Sequence, residues 1–185
     1  ETSHPRHPPR SGGEPQVVLV EDAEQLRKLC GRLRAAPAFG FDTEFIRERS
    51  YLPQLCLVQT ATPEFIAVID PLKTDLRPFW KLVLDPALTK IVHSGMQDLE
   101  MCYLRTQAAA ANIFDVQIAA GFVGLPYPLS YGRVVEELLR TRVPQSKTLS
   151  DWSQRPLSSG QLRYAVEDVE YLPALWDVLR SRLRE

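Results

Sequence analysis

One short segment constrains this chain more than any other: Phe41-Asp42-Thr43-Glu44-Phe45, within residues 38–45. Bulky apolar residues alternate there with small or acidic ones, the period of an extended strand with two unlike faces. Phe39, Phe41, Thr43 and Phe45 face one way, and Gly40, Asp42 and Glu44 the other. Residues two apart on one strand face stand about 7 Å from each other. Carboxylates so placed on an otherwise buried strand repel each other and lose hydration unless something compensates them. A divalent cation, which prefers hard oxygen ligands, is one compensation. Solvation of the acidic face, or pairing with Arg47 and Arg49, is the other.

The rest of the chain surrounds that strand with an α/β pattern. Residues 17–20 are β-branched and read as a strand. Asp22 followed by Gln25 resembles a capping box. Leu26, Leu29, Cys30 and Leu33 then recur at helical spacing, up to Pro37. Strands over 54–60 and 65–70, with a turn at Thr62-Pro63, predict an antiparallel meander. Helices are expected over 76–84, 96–104, 116–122 and 131–139, with short strands at 90–93 and 113–115. A second capping box, Ser158 with Gln161, opens a helical stretch to the end, which Pro173 divides in two. Strands first, then strands alternating with helices, predict a mixed sheet covered by helices.

At 185 residues, 44% hydrophobic and 24% charged, the chain suits one domain with its own core. Residues 1–16, rich in proline with Ser11-Gly12-Gly13, are expected to form a disordered arm, so His4 and His7 are not read as metal ligands. The opening ETSHPRHPPRSGGEP has no apolar stretch of the kind a signal peptide needs. No apolar run reaches the length of a membrane span. Cys30, Cys56 and Cys102 are widely spaced and form no CxxC. They point to reduced thiols in a cytoplasm-like compartment rather than to a disulfide framework or zinc site. A net charge of −1 excludes a broadly basic surface, so any phosphate-binding footprint must be local.

Two further segments place acids in defined settings. In IVHSGMQDLE, residues 91–100, a strand leads through Ser94-Gly95 into a helix with Asp98 in its first turn. Acids occur there for dipole reasons alone as well. His93 ends the strand, where a hydrogen-bonded core role and contact with a ligand are both open. In YAVED, residues 164–168, Tyr164 and Asp168 share one helix face. The alternative is a core tyrosine and a surface acid paired with Arg163.

D-x-E, H-x-G-x-x-D-L-E and Y-x-x-x-D, in that order, resemble the DEDD exonucleases, and most closely ribonuclease D in the tyrosine-bearing subclass. The resemblance runs from about residue 17 to the C-terminus. It includes FDTEFIRERSYLPQLCLVQ, IDPL at 69–72, FDVQIAAGF at 114–122 and SDWSQRPLSSGQLRYAVEDVEYL at 150–172. No histidine follows His93, so the third motif of the histidine subclass is not available.

This resemblance implies a ribonuclease H-like α/β fold, a five-stranded mixed sheet flanked by helices. It makes residues 17–185 the exonuclease domain, without the HRDC-type helical domains that usually follow. The implied reaction releases nucleoside 5′-monophosphates from RNA 3′ ends, those of tRNA precursors included. Single-stranded DNA is the alternative substrate, and an inactive RNA-binding scaffold is the alternative class, disfavoured because all four acids and the tyrosine are present. No protein partner is implied. Two divalent cations, Mg²⁺ or Mn²⁺, about 4 Å apart, are the implied cofactors. Asp42 would bridge them, Glu44 and Asp168 would hold the ion that activates water, and Asp98 would complete the other. Tyr164 would orient the water. His93, Leu52 and Gln54 are the implied substrate contacts, and Trp152 the packing residue before the last helices. Arg133, Arg140, Arg142, Arg155 and Arg163 are candidates for a phosphate-guiding patch, with a mixed solvated surface as the alternative; Lys147 is given no catalytic role.

Overall fold

The computed structural model describes residues 16–47, 53–144 and 151–184. The expectation for residues 1–15 therefore lies outside the described residues, as do Arg49, Leu52 and Lys147. Gln16, counted with the arm, instead opens the first strand, β1 (Gln16–Val20). The chain continues through α1 (Ala23–Ala35), β2 (Ala38–Ile46), β3 (Gln54–Ala61), β4 (Phe65–Ile69), α2 (Arg77–Leu84), β5 (Thr89–Val92) and α3 (Met96–Thr106). It ends with β6 (Ile113–Asp115), α4 (Val116–Phe122), α5 (Tyr131–Leu139), α6 (Ser159–Glu170) and α7 (Leu172–Arg182).

The sheet has six strands rather than five, in the order β1-β4-β3-β2-β5-β6. The extra member is β1, which pairs in parallel along its whole length with β4, Gln16 to Phe65 through Val20 to Ile69. β2, β3 and β4 form the antiparallel meander. β5 joins β2 in parallel, but only at Ala38, Phe39 and Gly40, and β6 joins β5. Beyond Gly40, β2 therefore projects past its neighbour on that edge. The β2/β3 register shifts between Glu44 and Phe45, where Cys56 is the additional residue on β3. Bulges of this kind twist a strand and re-aim its side chains.

Alternation along β2 separates two cores. Phe39 and Phe41 meet Phe79 of α2, with ring centroids 6.2 and 6.0 Å from it. Leu26 and Leu33 of α1 and Met101 and Cys102 of α3 complete that side. On the opposite face α4, α5 and α7 pack around Ala38, Ile66, Ile91 and Leu175. Here a Cβ on Gly40 would lie 2.7 Å from the Leu172 Cβ, so only glycine lets α7 approach β2 this closely. Pro173 sits in the first turn of α7, where its missing N–H breaks no helical bond. Ser158 and Gln161 form the full capping box of α6. At α1, Asp22 accepts the Gln25 N–H, but the Gln25 side chain accepts from Glu21, one residue earlier than in a capping box. Cys30, Cys56 and Cys102 are unpaired and buried. Among the described residues no helix is long and apolar enough to cross a membrane.

The loop before α6 is tied to the sheet by a buried ion pair. Arg155 Nε lies 2.6 Å from Asp70 Oδ2, and the same guanidinium donates to the carbonyls of Cys56 and Trp152. Burial pushes the Asp70 carboxyl up, yet the Arg155 and Leu72 hydrogen bonds outweigh it and hold the group below its usual range. Removing one partner of a buried pair strands the other charge. Asp70→Asn is therefore expected to cost about 3 kcal/mol of stability in urea unfolding at neutral pH.

Candidate active site

β2 and α6 bring three acids to one place. Asp42 and Glu44 rise from the face of β2 that α6 covers, and Asp168 descends from α6 four residues after Tyr164. One carboxylate oxygen from each of Asp42, Glu44 and Asp168 lies within 4.8 Å of the other two. All three remain partly open to solvent, so a ligand can reach them.

Their mutual repulsion and loss of hydration are large. Burial, followed by the charges of Asp98, Asp168 and Glu44, drives the Asp42 carboxyl far above its ordinary value, against a bond from the Thr43 backbone N–H. Burial, then Asp168 and Asp98, pushes Glu44 up to about 8. Asp168 is raised to about 7 by burial and by Glu167, with the Tyr164 hydrogen bond pulling the other way. Such a set is starved of positive charge. Hard oxygen donors with unmet negative charge fit a divalent cation.

Asp98 belongs to the neighbourhood but is held differently. It is buried in the first turn of α3, and the Thr43 hydroxyl donates to its Oδ1 at 2.6 Å. Burial raises it to about 6, offset by the Thr43 hydroxyl and backbone N–H. It falls outside the group of three that share the 4.8 Å span. Thr43, placed by alternation on the apolar face, is thus the link between the second acidic segment and β2, and the residue pattern gave no sign of it. Asp115 is another member not anticipated. Its carboxylate accepts the N–H groups of Ser94, Gly95 and Gln117, which shapes the turn leading to Asp98. Ser94 adopts a φ of 53° in that turn.

The other named residues divide. Trp152 is buried with its ring 5.9 Å from that of Tyr164, as a packing residue should be. His93 is occupied within the fold: its Nε2 lies 3.0 Å from the Leu129 carbonyl and its ring meets Tyr131 edge-on. That geometry suits bracing. Gln54 is exposed opposite Ile46, at the far end of the strand pair that carries Asp42 and Glu44. The arginines do not make a patch. Arg133 and Arg142 pair with Glu136, Arg133 and Arg140 with Glu137, and Arg155 is spent on Asp70. Of that set, Arg163 is exposed on α6.

Comparison with known proteins points one way. The profile of a family described as 3′-5′ exonuclease matches residues 17–184. Ribonuclease D of Acidiphilium cryptum is 42% identical over 171 residues, which are 91% of this chain and 44% of that protein. Ribonuclease D of Granulibacter bethesdensis is 39% identical over 173 residues, 92% of this chain and 44% of that protein. The crystal structure of Escherichia coli RNase D, an exoribonuclease involved in structured RNA processing, matches with a TM-score of 0.85 at 35% identity, covering 91% of this chain and 45% of that one. Brucella melitensis NrnC bound to pGG matches with a TM-score of 0.75 at 27% identity, covering 92% of this chain and 83% of that one. The chain spans about half the length of the curated relatives it matches.

Proposed function

The chain belongs to the 3′-5′ exonuclease family, and on that footing we propose that it is a metal-dependent exoribonuclease that shortens RNA from the 3′ end, releasing nucleoside 5′-monophosphates. The observation that carries this reading is the convergence of Asp42, Glu44 and Asp168 within 4.8 Å, with each carboxyl pushed above its ordinary range. Bound divalent cations, Mg²⁺ or Mn²⁺, would supply Lewis acidity toward water, phosphorus and the leaving oxygen.

The protein's own groups do the rest. Asp42, Glu44 and Asp168 supply the donor oxygens, and Asp98, oriented by Thr43, completes the acidic set. The Tyr164 hydroxyl, bonded to Asp168, would orient the attacking water. Trp152 packs beside it and keeps its ring in place. Gln54 is the described candidate for contact with the terminal nucleotide. RNA as substrate is supported by the ribonuclease D relatives and the exoribonuclease structure; tRNA precursors are the proposed members of that class, and single-stranded DNA is the competing polymer.

Matched 3′-labelled RNA and single-stranded DNA, digested with Mg²⁺ or Mn²⁺ and with chelator, test this reading. Chelator-sensitive release of 5′-mononucleotides, faster from RNA, is expected. Faster loss of DNA would overturn the preference for RNA, and hydrolysis indifferent to chelator would overturn the metal dependence. Tyr164→Phe is expected to slow the reaction about 100-fold at saturating Mn²⁺, the scale of a positioned proton-handling group. An unchanged rate would remove Tyr164 from the mechanism.

A further inference from the structure

Behind the acid pocket lies one polar group that the fold leaves idle. Gln59 of β3 is fully buried. Neither its Oε1 nor its Nε2 has a hydrogen-bond partner among the described residues. It is the direct cross-strand neighbour of Asp42, so both side chains leave the sheet on the same face, with Cβ atoms about 5 Å apart. On its other side Gln59 opposes Val68, and Ala165 of α6 packs over that region. The amide therefore has a carboxyl on one flank and hydrocarbon on the other. Sealing an unbonded amide away from water is unfavourable, and a methionine of similar size would avoid the penalty.

Two other acids of the set already have a hydroxyl that fixes them: Thr43 for Asp98 and Tyr164 for Asp168. For Asp42 the side-chain donor that the strand register places nearest is Gln59. The Thr60 hydroxyl is also buried without a partner among the described residues. Being one residue on, it points to the opposite face, away from the acids.

We propose that Gln59 is a positioning residue for Asp42: its amide N–H donates to one carboxylate oxygen while a bound cation draws on the other, fixing the orientation of the ligand. This rests on reading the pocket as a divalent-cation centre. Ligating carboxylates are characteristically held by such a second bond, and its loss weakens metal binding about 10- to 100-fold. An amide kept for this purpose is a burden to the metal-free fold and an asset only when a cation is present.

Mn²⁺ titration of the intact chain by calorimetry, with thermal unfolding in chelator, separates the possibilities for wild type, Gln59→Met and Asp42→Asn. Gln59→Met should bind Mn²⁺ about 10-fold more weakly or worse, yet without metal melt no lower than wild type, and by a few degrees higher if the amide is as idle as it stands. A Gln59→Met chain that binds Mn²⁺ as tightly as wild type overturns the proposal. So does one that is less stable than wild type without metal, or that fails to fold, since the amide would then be structural. If wild type binds no Mn²⁺, or Asp42→Asn binds it equally well, the cation-centre reading fails first and the role of Gln59 falls with it.

Discussion

Asp42→Asn is expected to lower metal-dependent removal of 3′ nucleotides by about 1,000-fold or more, the scale at which loss of a single electrostatic element cripples an active site. Asparagine matches the shape of the side chain, so the strand and its packing survive. What disappears is the charge nearest the centre of the set, on which Asp98, Asp168 and Glu44 all act. For the same reason the variant should melt no lower than wild type in chelator: a half-buried carboxyl surrounded by like charges is an encumbrance to the fold. Paired rate and melting measurements check both halves. Wild-type rates in purified Asp42→Asn would exclude this pocket as the seat of hydrolysis.

The second large effect concerns pH. In an unfolded chain these carboxyls titrate near ~4. In the fold Glu44 titrates at about 8, Asp168 at about 7 and Asp98 at about 6, each raised first by burial. Between those limits the folded protein holds more protons than the unfolded one, so its stability is greatest near the acid end and declines as pH rises toward 8. Without metal, the melting midpoint should fall by roughly 5 °C or more from pH 5 to pH 8. Saturating Mn²⁺ should flatten that decline, because a cation removes the repulsion that opposes ionisation. Asp70, held low against its burial by Arg155, acts in the opposite sense, its stabilisation being lost as pH falls below about 4. A midpoint in chelator that rises from pH 5 to pH 8 would contradict the crowding of charge in the pocket.

Much of the pocket was legible because its pairs are local. Two residues on a strand face and four on a helix face are distances that the chain itself sets, so Asp42 with Glu44 and Tyr164 with Asp168 could be read directly. Relations that depend on register were not legible. That Gln59 faces Asp42 follows from the β2/β3 pairing, and QLCLVQT shows only a polar residue among apolar ones. Thr43 reaches Asp98 because β5 stops beside Gly40, a length that propensity does not specify. Residues 17–20 read as extended, but the five-stranded sheet that the resemblance implies leaves no place for them as a sixth strand. The arginine patch failed for a reason already present in the chain: Glu136 and Glu137 lie three and four residues from Arg133, within helical reach.

Asp98 also stands in for a missing strand. Where β5 ends, its carboxylate accepts the Thr43 hydroxyl, mooring the overhanging half of β2. An inactivated Asp98 variant would thus carry two injuries, a lost ligand and a slackened strand, whereas an inactivated Asp42 variant carries one. Genetic evidence that weighs the four acids equally would misjudge what each contributes.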